Sequence, residues 1–355
     1  MKGYLVIEDG SIYEGECFGV EGESFGELVF NTSMTGYQEI IYDPSYKGQI
    51  VVMTYPLIGN YGVNSHDSES YKTHINGFVV KERSKIYSNW RAEKSLEELF
   101  VESKLIGIEG VDTREITIKL RDKGNLKSGI FTGQKENEEM IEKVKNSPSI
   151  IGRDLVKEVC LKEPYLWNKE GQYKVVVIDC GVKYNTLRLL SNLDIKVKVV
   201  PANYPYEEIE KEKPDGIVIS NGPGDPSVLA YVINTVSNIV EKYPVFGICL
   251  GHQILAHVFG GKTYKLKFGH HGGNHPVKDL KTGKVLITVQ NHNFCVDINT
   301  IKGQDIEITH INLNDGTLEG IKHKKLPVFS VQFHPESAPG PNDAGYIFKK
   351  FLELL

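Results

Sequence analysis

The sequence lacks the features that mark secreted, membrane or metal-finger proteins. Its five cysteines are an odd number, scattered along 355 residues with no C-x-x-C pair. This distribution argues against a disulfide or zinc-finger framework and favours a reducing, cytoplasmic compartment. No apolar run approaches the ~20 residues that span a bilayer, so no membrane is expected as a partner. The first apolar run, residues 4–7, passes straight into acidic residues and predicts a strand rather than a signal peptide.

An excess of positive charge is also missing. Acidic residues outnumber lysine and arginine by 46 to 41, for a net charge of -5, so nothing favours nucleic acid as a partner. The proportions of hydrophobic (40%) and charged (25%) residues are those of an ordinary globular protein. The length is too great for one ordinary core and predicts two domains.

Nucleotide- and metal-binding motifs are incomplete. Gly260–Thr263 ends like a P-loop, but Ala256 stands where the first glycine is required. Gly222–Gly224 lacks the third glycine of a dinucleotide fingerprint, since Ser227 occupies that position. Three histidines have no carboxylate or thiol at metal-ligand spacing, and a structural or interface loop is expected there: His270, His271 and His275. We therefore expect no metal and no cofactor in this chain.

The first part of the chain has the short Val/Ile/Tyr/Phe runs and Gly/Asp/Asn breaks of β-structure. We predict strands at 5–7, 28–31, 49–54, 77–80 and 105–109, and helices at 95–102 and 113–121. The Gly/Pro-rich segments 43–48 and 55–62 are predicted to be surface turns. From 134 to 172 the chain turns polar, with a charged helix predicted over 136–145, and this segment predicts the domain connection. The expected domains are 1–171, a mixed α+β domain, and 172–355.

Beyond this connection, strand and helix patterns alternate. Strands are predicted at 174–179, 196–200, 215–220 and 245–248, and helices at 184–191, 206–211 and 227–242. This alternation predicts an α/β fold with a doubly wound, mostly parallel sheet, whose ligands bind beyond the carboxyl ends of the strands. After residue 262, strands are predicted at 285–290, 306–311, 318–322 and 328–333, followed by a helix from about 342.

One strand end nominates a nucleophile. Gly247-Ile248-Cys249-Leu250-Gly251 follows an apolar run and precedes a helical pattern, as in the G-x-S-x-G nucleophile elbow. The amino terminus of that helix would favour a thiolate, the reactive form. From this motif alone, the interpretation of Cys249 as a buried structural cysteine is equally well supported. Cys180 also follows a strand but lacks the preceding glycine, and we interpret it as a packing residue.

A second strand end supplies a candidate base. His334-Pro335-Glu336 follows the apolar run 328–333, and the intervening proline stiffens the link between imidazole and carboxylate. A nucleophilic thiol needs a base and a group that orients the base. Cys249, His334 and Glu336 together therefore predict a catalytic triad.

These residues resemble the class I, triad-type glutamine amidotransferase domain, which has a flavodoxin-like fold. Further segments make the whole chain similar to the small-subunit family of carbamoyl phosphate synthetases; they are Asn31–Ile40, Asp43–Tyr46, Thr54–Asn60, Val111–Arg114, Lys267–Pro276 and Gln290–His292. The resemblance implies that Cys249 attacks glutamine, that His334 is base and then acid, and that Glu336 orients His334. It also implies an oxyanion site at the N–H groups of Leu250 and Gly222.

By the same resemblance, L-glutamine would be bound by residues from both domains, namely Ser45, Gly222, Gly224, Leu250, Gln253, Asn291, Asn293 and Phe294. Asn293 departs from the usual glycine of the family, and asparagine tolerates a positive φ better than most residues. The implied partner is a large subunit that uses ATP, Mg²⁺ and bicarbonate and receives ammonia through a tunnel. The product would feed arginine or pyrimidine biosynthesis. A stand-alone γ-glutamyl cysteine hydrolase and a catalytically silent scaffold remain alternatives.

Overall fold

The computed structural model describes residues 1–133, 138–301 and 305–355. By their contacts these residues form two compact units, one of 1–151 with 267–271 and one of 152–266 with 272–355. The domain boundary predicted at 171/172 thus differs from the division of the structure at 151/152. The intervening segment is polar, but it packs with the second unit: Val156 enters a core cluster there, and the Leu161 N–H donates to Asp179 Oδ2 at 2.7 Å.

The first unit is a closed seven-stranded barrel with strand order β1-β2-β8-β6-β4-β3-β9 and a separate β5-β7 pair. Its elements are β1 (Lys2–Ile7), β2 (Ile12–Gly19), β3 (Glu23–Asn31), α1 (Tyr37–Tyr42), β4 (Gln49–Met53), β5 (Leu57–Ile58), β6 (Gly77–Val80), β7 (Glu82–Arg83), α2 (Leu96–Glu102), β8 (Ile106–Glu109), α3 (Thr113–Lys123), β9 (Leu126–Thr132) and α4 (Glu138–Asn146). The helix predicted over 136–145 corresponds to α4, while residues 136 and 137 lie outside the described residues.

Strand β1 of the barrel is buried on both faces because each face meets a different core cluster. Leu5 and Ile7 of β1 join one cluster, whereas Tyr4 and Val6 join another with side chains of α4. Successive side chains of a strand point to opposite faces, so a strand that is buried on both faces, such as β1, forms a continuous apolar run in the sequence.

The segment predicted as a surface turn at 43–48 does turn, but its centre is buried. Asp43 caps a short 3-10 turn, Pro44–Tyr46, by accepting from the Ser45 N–H at 2.9 Å. The Tyr46 ring packs inward, where its hydroxyl accepts from Asn31 Nδ2 at 2.7 Å. The surface prediction was wrong because the Gly/Pro content specifies a turn without specifying which way the turn faces.

The second unit contains a mixed ten-stranded sheet with strand order β10-β12-β11-β13-β14-β19-β18-β17-β15-β16. Its elements are α5 (Val156–Val159), β10 (Tyr165–Leu166), β11 (Tyr173–Asp179), α6 (Tyr184–Ser191), β12 (Ile195–Pro201), α7 (Tyr206–Lys211), β13 (Gly216–Ile219), α8 (Ala230–Ile239), β14 (Val245–Ile248), α9 (Leu250–Val258), β15 (Thr263–Asp279), β16 (Val285–Val296), α10 (Ile298–Ile301), β17 (Ile306–Asn312), β18 (Leu318–His323), β19 (Val328–Val331) and α11 (Tyr346–Leu352).

Five of these strands, β12, β11, β13, β14 and β19, are parallel neighbours, and helices cover both of their faces. Val175 and Val177 of β11 pack into a cluster with α6 and α11, while Val176 and Ile178 pack into a cluster with α7, α8 and α9. The α/β class predicted from the alternating pattern is confirmed. The carboxyl ends of β11, β13, β14 and β19 therefore lie along one edge of the sheet.

Two predictions about these elements need correction. The helix expected over 227–242 is shorter, Ala230–Ile239, and follows a separate 3-10 turn at Pro226–Val228. The segment around His270, His271 and His275 was expected to be a loop but is part of strand β15. The strand was not recognised because its glycines and histidines do not show the alternation of apolar and polar residues that is typical of strands. Among the described residues, no helix is both long and apolar enough to cross a membrane.

Candidate active site

The predicted elbow is present between β14 and α9. Cys249 has φ 52° and ψ -100°, a conformation that non-glycine residues seldom adopt and that costs on the order of 1–3 kcal/mol. Its N–H is held by Val331 O at 2.9 Å. Gly251 is required by close packing, since a Cβ there would lie 2.2 Å from Ile219 O. The structure thus stores backbone strain at the residue predicted to be the nucleophile.

The second strand end places imidazole against carboxylate. His334 Nδ1 lies 2.6 Å from Glu336 Oε1, and both side chains are at most 1% exposed. Burial by itself lowers the pKa of His334, but the charge of Glu336 and the interaction with Cys249 outweigh burial and raise this pKa to about 10. His334 Nε2 has no hydrogen-bond partner within the part of the chain that the structure describes. The imidazole also interacts with Cys249, so the candidate base lies next to the candidate nucleophile.

A buried lysine that the sequence analysis missed completes this charge network. Lys183 lies in the loop between β11 and α6, with its Nζ 3.2 Å from Glu336 Oε1, and it donates to Ser337 O. Burial opposes ionisation of Glu336, but Lys183 and then His334 hold the pKa of this carboxyl down at about 2. The available signal was positional: Lys183 follows a parallel strand at the same sheet edge as Cys249.

Several predicted substrate residues surround the sulfur. Asn291 O lies 3.7 Å from Cys249 Sγ, within reach of a thiol proton. Gln253 Nε2 donates to Phe294 O at 2.7 Å and to Gln332 Oε1 at 3.0 Å. Gln332, which the sequence analysis did not select, donates its own Nε2 to Cys249 Sγ at 3.6 Å. Gln253, Asn291 and Phe294 therefore belong to one hydrogen-bonded region around the thiol.

The two predicted oxyanion donors are neighbours. Leu250 is the first residue of α9, and Gly222 lies in the loop after the adjacent parallel strand β13. A Cβ at Gly222 would lie 2.8 Å from Leu250 Cδ2 and 2.2 Å from Cys180 O, so the two segments are in direct contact. Gly224, in the same loop, has a φ of 88° that favours glycine.

The remaining two predicted residues have different settings. Asn293 lies inside the extended strand β16, so tolerance of a positive φ is not what allows asparagine at this position. Ser45 is buried in the first unit, in the turn described above, whereas every other predicted site residue lies in the second unit.

A thiol on a strained strand-to-helix turn and a buried His–Glu pair are the groups that a cysteine nucleophile with an oriented base requires. Residues 176–354 match the family model for class-I glutamine amidotransferases, which identifies the class. Residues 5–130 match the carbamoyl-phosphate synthase small chain, CPSase domain.

Curated relatives cover the whole chain. A carbamoyl phosphate synthase small chain from Aquifex aeolicus is 54% identical over 99% of this chain and 98% of its own length. Small chains from Syntrophotalea carbinolica and Archaeoglobus fulgidus are 49% and 50% identical over 100% of this chain and 98% and 99% of their own lengths. The chain belongs to the carbamoyl phosphate synthase small-chain family, and with its amidotransferase domain it is a glutamine-hydrolysing enzyme subunit.

Proposed function

We propose that Cys249, His334 and Glu336 hydrolyse glutamine through a covalent intermediate. His334 Nε2 removes the thiol proton, and Cys249 Sγ attacks the side-chain amide carbon. The tetrahedral intermediate collapses to a γ-glutamyl thioester, and His334 protonates the departing ammonia. Water, deprotonated by the same nitrogen, then releases glutamate and restores the thiol. The observation that carries this proposal is the strained Cys249 backbone beside the 2.6 Å contact between His334 and Glu336.

Charge that develops on the substrate oxygen needs fixed donors. We assign this role to the main-chain N–H groups of Leu250 and Gly222, whose segments are in contact. Such donor pairs typically contribute several kcal/mol to the transition state. The amino-acid end of glutamine would be recognised by Ser45, Gly222, Gly224, Gln253, Asn291, Asn293 and Phe294.

The ammonia is passed on rather than released. The relatives are named as small chains, so we infer that this chain works with a large synthetase chain that binds ATP, Mg²⁺ and bicarbonate and takes up ammonia through a tunnel. This chain itself would need no cofactor. The pairing distinguishes the proposal from a stand-alone γ-glutamyl hydrolase, which would not copurify with a larger ATP-using chain.

The test is Cys249→Ala assayed with the large chain. We expect glutamine-dependent carbamoyl phosphate synthesis to be lost while synthesis from free ammonium salts continues. Cys180→Ala is a matched control, because Cys180 is likewise buried at the end of a parallel strand and takes no part in the proposed mechanism, and it should retain both activities. Loss of both activities in Cys249→Ala would contradict the assigned role, and retention of glutamine-dependent synthesis would show that Cys249 is not the nucleophile. Absence of a covalent adduct between wild-type Cys249 and a glutamine-mimicking electrophile would favour the silent scaffold.

A further inference from the structure

The chain that carries His334 also brings a second polar group to the thiol. Side chains alternate beyond the end of β19: Val331 and Phe333 enter the core cluster beside α11, while Gln332 and His334 face the other way. Gln332 is fully buried, with its Nε2 3.6 Å from Cys249 Sγ. A buried amide is costly unless it is fully hydrogen-bonded, so its placement beside the sulfur calls for an explanation.

A relay of hydrogen bonds determines which end of the Gln332 amide faces the sulfur. Phe294 O is a main-chain carbonyl and can only accept, so the Gln253 amide must turn its NH₂ group towards it, at 2.7 Å. The same NH₂ group lies 3.0 Å from Gln332 and therefore requires an acceptor there, which is Oε1. The Gln332 NH₂ group is left facing Cys249. The carbonyl of Phe294 thus dictates a donor at the nucleophile.

The sulfur therefore has one fixed acceptor and one fixed donor. Asn291 O, at 3.7 Å, can accept a hydrogen bond only from the neutral thiol. The Gln332 N–H suits the thiolate, since hydrogen bonds to a charged partner are the stronger kind. The charged groups of this network are His334 and Glu336 on the segment after β19 and Lys183 from the loop before α6. Of these groups, only His334 exchanges a proton with Cys249 in the mechanism above.

We propose that Gln332 is a further catalytic residue, whose side-chain N–H holds Cys249 as a thiolate ready to attack the glutamine amide. The proposal rests on the proposed function for the identity of the nucleophile. It assigns Gln253 a second task, that of orienting the Gln332 amide, in addition to its expected contact with glutamine.

The experiment compares Gln332→Met, which keeps the length but removes the donor, with wild type. The rate of alkylation of Cys249 by iodoacetamide is measured from pH 5 to pH 10, on the order of the range over which thiols titrate, with the modified peptide identified by mass. We expect the pH of half-maximal rate to rise by about one unit, a roughly tenfold loss of thiolate at lower pH. Gln38→Met is the matched control, since Gln38 is a buried glutamine of the first unit, and its profile should coincide with wild type.

Gln332→Glu provides an isosteric second variant, whose carboxylate should shift the profile further than the methionine does. In the wild-type chain labelled with ¹⁵N-glutamine, one side-chain amide should titrate with the same midpoint as the alkylation rate. An unchanged profile in either folded variant, or the absence of such an amide signal, would overturn the proposal. Glutamine hydrolysis by wild type is assayed separately. If wild type does not hydrolyse glutamine but the alkylation profile of Gln332→Met is still shifted, the proposed function is refuted and the role of Gln332 is not.

Discussion

Replacing Lys183 by methionine tests the charge network from its far end. Lys183 is 1% exposed and lies 3.2 Å from Glu336 Oε1. The shift of the Glu336 pKa from 4.5 to about 2 corresponds to about 3 kcal/mol of folding free energy. Lys183 is the larger of the two charges that favour ionisation, so Lys183→Met should lower the free energy of unfolding at pH 7 by about 2 kcal/mol.

The loss of stability in Lys183→Met should depend on pH in a defined direction. A depressed pKa stabilises the fold above the unfolded value near 4.5, and this contribution is lost as pH falls through about 2. The difference between wild type and Lys183→Met should therefore be largest at neutral pH and should shrink towards pH 2. We expect the turnover number for glutamine hydrolysis to fall more than the KM rises, because Glu336 would no longer hold His334 rigidly.

Urea unfolding followed by tryptophan fluorescence measures the difference in unfolding free energy between wild type and Lys183→Met for the second structural unit. Trp167 packs against Tyr184 in the second unit, whereas Trp90, the other tryptophan, is 91% exposed. Lys211→Met is the control, because Lys211 pairs with Glu208 while 70% exposed, and this variant should leave the unfolding midpoint almost unchanged. A loss of stability that is equal at pH 7 and near pH 3 would refute the electrostatic reasoning and leave packing alone as the cause.

Two further predictions concern the proposed triad and the turn that carries Cys249. The raised pKa of His334 stabilises the fold fully below its unfolded value near 6.5, and this contribution is lost as pH rises through about 10. In wild type the free energy of unfolding should therefore fall between pH 6.5 and about pH 10, and His334→Gln should make this fall smaller. An equal fall in both proteins would contradict the ion pair. Gly251→Ala would force a Cβ to within 2.2 Å of Ile219 O and should cost about 3 kcal/mol with a clear fall in Tm. Gly345→Ala, whose nearest neighbour lies at 3.6 Å, should leave the Tm almost unchanged.

The alternation of strands and helices was predictable from sequence because it depends on local periodicity. The parallel strands β11, β12, β13 and β14 were each anticipated to within about two residues, a normal uncertainty for element ends. Strand β2 was missed because its glycines and glutamates interrupt the apolar alternation, and its position is set by pairing with β1 and β8. Pairing with distant strands leaves no periodic trace in the strand itself.

In the candidate site, too, residues that form a local sequence motif were predictable, whereas residues brought together by the sheet were not. Cys249 was recognisable because its flanking glycines and the following helix are neighbours in sequence. His334 and Glu336 were recognisable because they are two residues apart after an apolar strand. Lys183 and Gln332 were not, since a lysine after one strand or a glutamine before a histidine has many ordinary roles. Only the order of β11, β13, β14 and β19 in the sheet brings them to the same point.

By itself, then, the sequence determined the strand-to-helix turn at Cys249 and the His–Glu pair, because both depend on backbone conformation and contacts over a few residues. Tertiary structure decided what surrounds them: the buried Lys183 that keeps Glu336 ionised, and the hydrogen-bond relay from Phe294 through Gln253 and Gln332 to Cys249. The physical reason is that charge and hydrogen-bond polarity in a buried site are set by groups from several strand ends. Their distances in space are fixed by the sheet and not by their distances along the chain.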